Sequence, residues 1–290
     1  MELWFAITIV AAFLQNARSL LQKRLTGELS VNGASYVRFL YAVPFAWIYA
    51  LYLWDGSPQG FNNTFFVYVV TGAIAQIVAT SYLLASFTSQ NFAVGTAYSK
   101  TEAAQAALVG LVLLGDTVDA WVLAGIGVSL IGVVLLSGNL RLRDLLHPDR
   151  TMLLGILAAT GFAISAVGFR GASLALDAGG YLQRAGLTVM VSVTIQMVLM
   201  GSYLAVREPD QIRRVLGAWK IAVWVGLIGS VASVGWFTAM TLKNAAVVRA
   251  VGQVELLFTV MSSIWLLGER LKSRELIGIV LVVVGIWLLV

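Results

Sequence analysis

The chain contains no cysteine, which excludes disulfides and thiol catalysis. Its one histidine, His147, falls in a polar stretch, so no serine–histidine constellation can be built inside an apolar segment. Paired His or Cys ligand patterns are missing as well, and no metal site is expected. No GxxxxGK[ST] loop occurs, which argues against ATP hydrolysis. Charge is scarce: 11% of residues are charged, where a soluble domain carries roughly a quarter. No polar block is long enough to form a receptor or sensor domain. The chain is therefore expected to be no enzyme, to need no cofactor and to have no nucleic-acid partner.

What fills the 290 residues is apolar: 59% are hydrophobic and the mean hydropathy is +0.88. These values describe an integral membrane protein whose partner is the lipid bilayer. A helix needs about 20 apolar residues to cross the hydrocarbon core. Ten candidate spans satisfy this: 3–22, 34–53, 64–87, 92–114, 120–137, 152–174, 181–204, 219–241, 245–267 and 275–290. The runs are too long, and alternate too little, for a β-barrel. No basic segment precedes the first run, so "LWFAITIVAAFL" reads as a span and not a signal peptide.

Lys and Arg are unevenly placed. Twelve lie in the odd-numbered loops, among them Lys23, Arg24, Arg141, Arg143, Arg207, Arg213, Arg214 and Lys220, whereas the even-numbered loops hold only Lys243. The positive-inside rule puts the odd loops in the cytoplasm and both termini on the outer, periplasmic side of a bacterial-type inner membrane. The net charge of +5 is accounted for by this bias.

The chain repeats itself. At a constant offset of 153, Asn91 matches Asn244, Ala93-Val94 matches Ala246-Val247, Glu102 matches Glu255, Leu114-Gly115 matches Leu267-Gly268, Gly125 matches Gly278 and Gly132 matches Gly285. At a shorter offset, Gly33 and Arg38 match Gly179 and Arg184. The predicted organisation is a first five-helix repeat at 1–138, a cytoplasmic linker at 139–151 and a second repeat at 152–290. Five is odd, so the second repeat must be inverted, a device of secondary transporters. The fold class is all-α, ten transmembrane helices in two inverted repeats.

The two stretches "AVGTAYSKTEAAQAALVGLVLLGDTVDAWVLAGIGVSLIGVVLL" and "AVVRAVGQVELLFTVMSSIWLLGERLKSRELIGIVLVVVGIWLL" resemble the EamA repeat of the drug/metabolite transporter superfamily. Both keep an internal glutamate, Glu102 and Glu255. The second keeps Gly268-Glu269, where the first has Gly115-Asp116. Both lack the proline that follows the glutamate in the family, with Ala103 and Leu256 in its place. The many aromatics in the spans are most similar to the aromatic-amino-acid exporter branch. The resemblance implies export of small organic solutes, amino acids with aromatic or hydrophobic side chains, by alternating access through a central cavity, as a monomer or weak homodimer. Two alternatives stand beside it: a broad exporter of cationic or lipophilic drugs, and a channel-like pore or membrane scaffold.

Ionisable groups in a span cost about 2.5–3.5 kcal/mol each on insertion scales, so they face protein or water. The candidate lining residues are Gln15, Asn16, Tyr82, Tyr98, Lys100, Phe162, Ser165, Trp236 and Gln253. Glu102 and Glu255 are read either as proton-coupling carboxylates or as gating and structural groups, with the duplicated Arg38 and Arg184 as candidate partners, Arg18 and Arg170 as competitors, and snorkelling of Arg38 and Arg184 to the interface as the alternative. Lys100 and Arg249 have uncharged repeat mates, Gln253 and Thr96. Lys100 is read as holding a substrate carboxylate, neutralising Glu102 or reaching the membrane surface. The glycines at 125, 132, 278 and 285 fall on one face of their helices and predict a close-packing seam. Pro44 predicts a kink in span 2.

Overall fold

The computed structural model describes residues 2–25, 27–54, 56, 60–87, 97–136, 150–267 and 273–289. The linker at 139–149, His147, Arg141, Arg143, residues 91–96 and Gly268-Glu269 lie outside the described residues. Within them every regular element is helical: α1 (Leu3–Leu25), α2 (Val31–Leu40), α3 (Val43–Tyr52), α4 (Asn63–Phe87), α5 (Glu102–Leu114), α6 (Ala120–Leu136), α7 (Arg150–Leu174), α8 (Tyr181–Arg207), α9 (Pro209–Gly217), α10 (Trp219–Leu242), α11 (Ala245–Val251), α12 (Glu255–Leu267) and α13 (Ser273–Leu288).

Among the described residues six stretches are long and apolar enough to cross a membrane: Leu3–Gln22, Val31–Tyr52, Asn63–Leu83, Arg150–Leu174, Tyr181–Arg207 and Trp219–Leu242. The expected count of ten is thus met in part. The other four predicted spans correspond to the shorter helices α5, α6, α11 with α12, and α13. Span 2 is divided as Pro44 predicts. Pro44 lies in the first turn of α3 and has no N–H for the Leu40 carbonyl, so residues 41–42 form a turn between α2 and α3.

The chain divides into two compact units that cut across the repeats. The first comprises 75–167 and 243–290, and the second Glu2–Ile74 and Gly168–Leu242. In the second unit α1 packs along α10, and α8 packs against α2, α3 and α10. Small residues permit these approaches: a Cβ on Gly235 would lie 3.0 Å from that of Ala11, and one on Gly229 would lie 3.0 Å from the Arg18 side chain. Phe169 stacks on Phe237 at 4.4 Å between ring centroids. Outside the spans, Ser30 caps α2 through the Gly33 N–H at 3.1 Å. The Ser30 hydroxyl and the Asn32 amide donate to the Glu208 carboxylate at 2.5 and 2.7 Å, and the Ser30 N–H donates to Gln211 at 2.9 Å. These bonds, Ser30 first and then Asn32, hold the Glu208 carboxyl below its ordinary value.

In the first unit α6 and α13 form the glycine seam. A Cβ on Gly125 would meet the Gly285 carbonyl at 2.9 Å, and one on Gly285 the Gly125 carbonyl at 2.8 Å. Gly132 and Gly278 stand in the same reciprocal relation, at 2.8 and 2.9 Å. Contacts that climb α6 while descending α13 make the two helices antiparallel. Each glycine meets the mate of the other, the pattern of an isologous two-fold contact. Helix α5 ends at Gly115, whose φ of +67° suits glycine, with the Asp116 N–H returning to the Gly110 carbonyl at 3.1 Å.

Candidate functional site

The two internal glutamates sit at equivalent breaks in their helices. In the first repeat residues 97–99 are helical, residues 100–101 turn, and α5 resumes at Glu102. Lys100 N–H bonds the Ala97 carbonyl at 3.2 Å and Thr101 N–H bonds that of Tyr98 at 3.1 Å, the tighter i to i+3 pattern. The Thr101 hydroxyl also donates to the Tyr98 carbonyl, at 2.7 Å, and so competes for helix acceptors. In the second repeat Gly252–Val254 form a 3-10 turn, and α12 begins at Glu255. Subtracting 153 from 252–254 gives 99–101, so both breaks fall on the same repeat position. Neither needs the proline that the family carries. Each glutamate is the first residue of the α-helix that follows its break.

Each carboxylate is met by a cation from the other repeat. Arg249, on α11, donates through Nη2 to Glu102 Oε1 at 2.7 Å. Lys100 pairs through Nζ with Glu255 Oε1. The Gln253 amide lies 3.5 Å from the Lys100 carbonyl, a contact between repeat mates that marks the two-fold relation locally. The two pairs are similarly enclosed, with Glu102 the most buried member: its side chain is 9% exposed and that of Arg249, within α11, 17%. Lys100 stands in the turn, and in its pair with Glu255 the side chains are 15% and 17% exposed. A polar chain continues from the break: Gln105 Nε2 donates to Thr101 Oγ1 at 3.0 Å, and the Thr160 hydroxyl donates to Gln105 Oε1 at 2.6 Å.

The residues singled out from the sequence divide between the units. Tyr82 and Phe162, half-buried, and Ser165, buried, belong to the first unit, as do Tyr98, Lys100, Glu102, Gln253 and Glu255. Gln15 and Asn16 on α1, Trp236 on α10, Arg38 and Arg184 belong to the second. Glu102 pairs with Arg249, and Glu255 with Lys100. Arg38 lies over the Phe39 ring, 5.3 Å from its centroid. Lys100 neutralises a glutamate, but the one in the opposite repeat. Thr160 has no signal in the sequence, because nothing local links it to Gln105 across 55 residues. Among the described residues no group of His, Cys, Asp and Glu could hold a metal ion.

Residues 149–290 match the EamA-like transporter family. The matched residues include Arg249, Gln253 and Glu255. A crystal structure of a protein 14% identical to this chain matches with a TM-score of 0.75, over 98% of this chain and 95% of the other. That likeness concerns the fold. No curated protein matches the chain.

Proposed function

We propose that this protein is a membrane transporter of small organic solutes that exports amino acids with aromatic or hydrophobic side chains by alternating access. The observation that carries the reading is the pair of repeat-equivalent helix breaks, each bearing a carboxylate neutralised from the opposite repeat. Discontinuous helices in inverted repeats are where transporters place polar ligands, because the freed backbone groups and helix ends supply partners that a continuous helix lacks. The EamA-like match supports the transport class. The cation-exporter alternative requires a carboxylate open to an organic cation, and both internal glutamates already hold a cation of the protein.

The test is counterflow in proteoliposomes. Purified protein exchanges labelled phenylalanine, tryptophan or threonine against the unlabelled compound. Exchange of an organic cation with none of these amino acids would decide for the alternative. The same chain, free of native cysteine, allows orientation to be read with one introduced thiol. Asp210→Cys, beside the basic residues of α9, reacts with an impermeant reagent from the cytoplasmic side only.

A further inference from the structure

We propose that the exposed side of α9 is a seat for the headgroups of anionic phospholipids, a lipid site that stands whatever the protein carries. Helix α9 has no room to leave the membrane boundary. Single residues, Glu208 and Ala218, join it to α8 and α10, both long and apolar enough to span. It is also held in place. The Glu208 carboxylate and the Gln211 carbonyl accept hydrogen bonds from Ser30 and Asn32 at the start of α2, and the Tyr41 hydroxyl donates to the Val215 carbonyl at 3.2 Å. Val215 is fully buried, while Arg213 and Arg214 are exposed. Arg207, in the last turn of α8, and Lys220, in the first turn of α10, are exposed as well. None of these four side chains has a hydrogen bond or ion pair among the described residues. Of the two acids in the segment, Glu208 is turned to Ser30 and Asn32, and Asp210 offsets a single cation.

Water accounts for exposed cations but not for the apolar groups set among them. Leu216, one helical turn after Arg213, and Trp219, next to Lys220, are both more than half exposed. Cations interleaved with exposed Trp and Leu suit the headgroup level of a bilayer, where the indole takes the interface and the aliphatic side chain the acyl boundary. The charge then selects the lipid. A headgroup of net negative charge supplies the partner that the four cations lack, and the arginine forks match its phosphate oxygens. A zwitterionic headgroup brings an ammonium that repels them. Each Lys or Arg near an anionic surface is worth about fivefold in binding.

Trp219 is the reporter. Its quenching by brominated phosphatidylglycerol or brominated phosphatidylcholine is read on the purified protein in phosphatidylcholine vesicles, with Trp219→Phe as the background of the other tryptophans. In the wild type the relative binding constant favours phosphatidylglycerol by about tenfold or more, and in Arg213→Gln/Arg214→Gln it falls to within about threefold of unity. Arg150→Gln, which removes an exposed cation at the start of α7, leaves the wild-type preference in place. Equal quenching by the two lipids in the wild type overturns the seat, as does a preference that survives in the double variant. An Arg150→Gln loss as large as that of the double variant reduces the effect to general surface charge and overturns it too. Inorganic phosphate that abolishes the preference would make this a free-anion site and refute the lipid. Should the double variant fail to fold, the wild type at about 1 M salt, where the screening length is about 3 Å, must lose the preference; its retention there overturns the proposal.

Discussion

Gly132→Ala tests the seam between α6 and α13 against an internal control. An alanine Cβ at 132 would meet the Gly278 carbonyl oxygen, Val282 Cγ2 and Val282 N, all at 2.8 Å. Carbon contacts are comfortable at about 3.5–4.0 Å, so the helices must part by something on the order of 1 Å. Two of the three opposing atoms are backbone, which a rotamer change cannot move. Overpacking of this kind costs about 1–3 kcal/mol. Alanine also gains about 0.5–1 kcal/mol over glycine in a helix interior, which would hide part of the loss. Gly127 lies on the same helix, and nothing stands within 4 Å of the place a methyl group would take there, so Gly127→Ala carries the gain without the clash. The difference between the two variants is therefore about 1–3 kcal/mol, or roughly 5- to 150-fold in the unfolding equilibrium. Unfolding in mixed detergent, followed by tryptophan fluorescence, measures it; Trp121 on α6 and Trp287 on α13 lie in the paired helices. Adding Gly278→Ala to Gly132→Ala should cost less than the sum of the singles, because one separation serves both methyl groups. Equal stability of Gly132→Ala and Gly127→Ala would refute the seam.

Two further expectations concern polar contacts. Glu102→Gln and Arg249→Gln should each destabilise by up to about 3–5 kcal/mol, and the double variant by clearly less than their sum; strict additivity in the cycle would show the 2.7 Å pair to be energetically idle. Glu208 is held below its ordinary value by Ser30 and Asn32, so its contribution is full above the unfolded carboxylate range and drains as the pH falls through the lowered native value. Glu208→Gln should flatten that acid limb by no more than about 1 kcal/mol, while Ser30→Ala, which also removes the α2 cap, should cost about 1 kcal/mol at neutral pH in a thermal melt.

Much of the helical layout is legible in the sequence, because apolar length and glycine spacing are local signals. The glycines at seven-residue intervals announce the seam, and Pro44 announces the division of span 2. The breaks before Glu102 and Glu255 are not legible. Their usual marker is absent, and Thr101, whose hydroxyl captures the Tyr98 carbonyl, is an ordinary residue in a helical run. The ion pairs are not legible either, for a geometric reason. Duplicated acids suggest duplicated bases, Arg38 and Arg184. An antiparallel two-fold instead brings a position of one repeat beside a different position of the other, so the partners need not be mates. The available clue is numerical: two glutamates with mates, and close to them two cations without.

Under the alternating access proposed above, that mismatch would give the molecule a direction. A chain of two equivalent halves has no intrinsic reason to prefer one arrangement over the one in which the halves trade roles. Here the frame is reciprocal, glycine against glycine, but the charges laid on it are not. In a role-exchanged arrangement the positions now held by Lys100 and Arg249 would fall to Gln253 and Thr96, neither of which carries charge. Under the alternating access proposed above, the bias between the two arrangements would therefore rest on the side chains of Lys100 and Arg249.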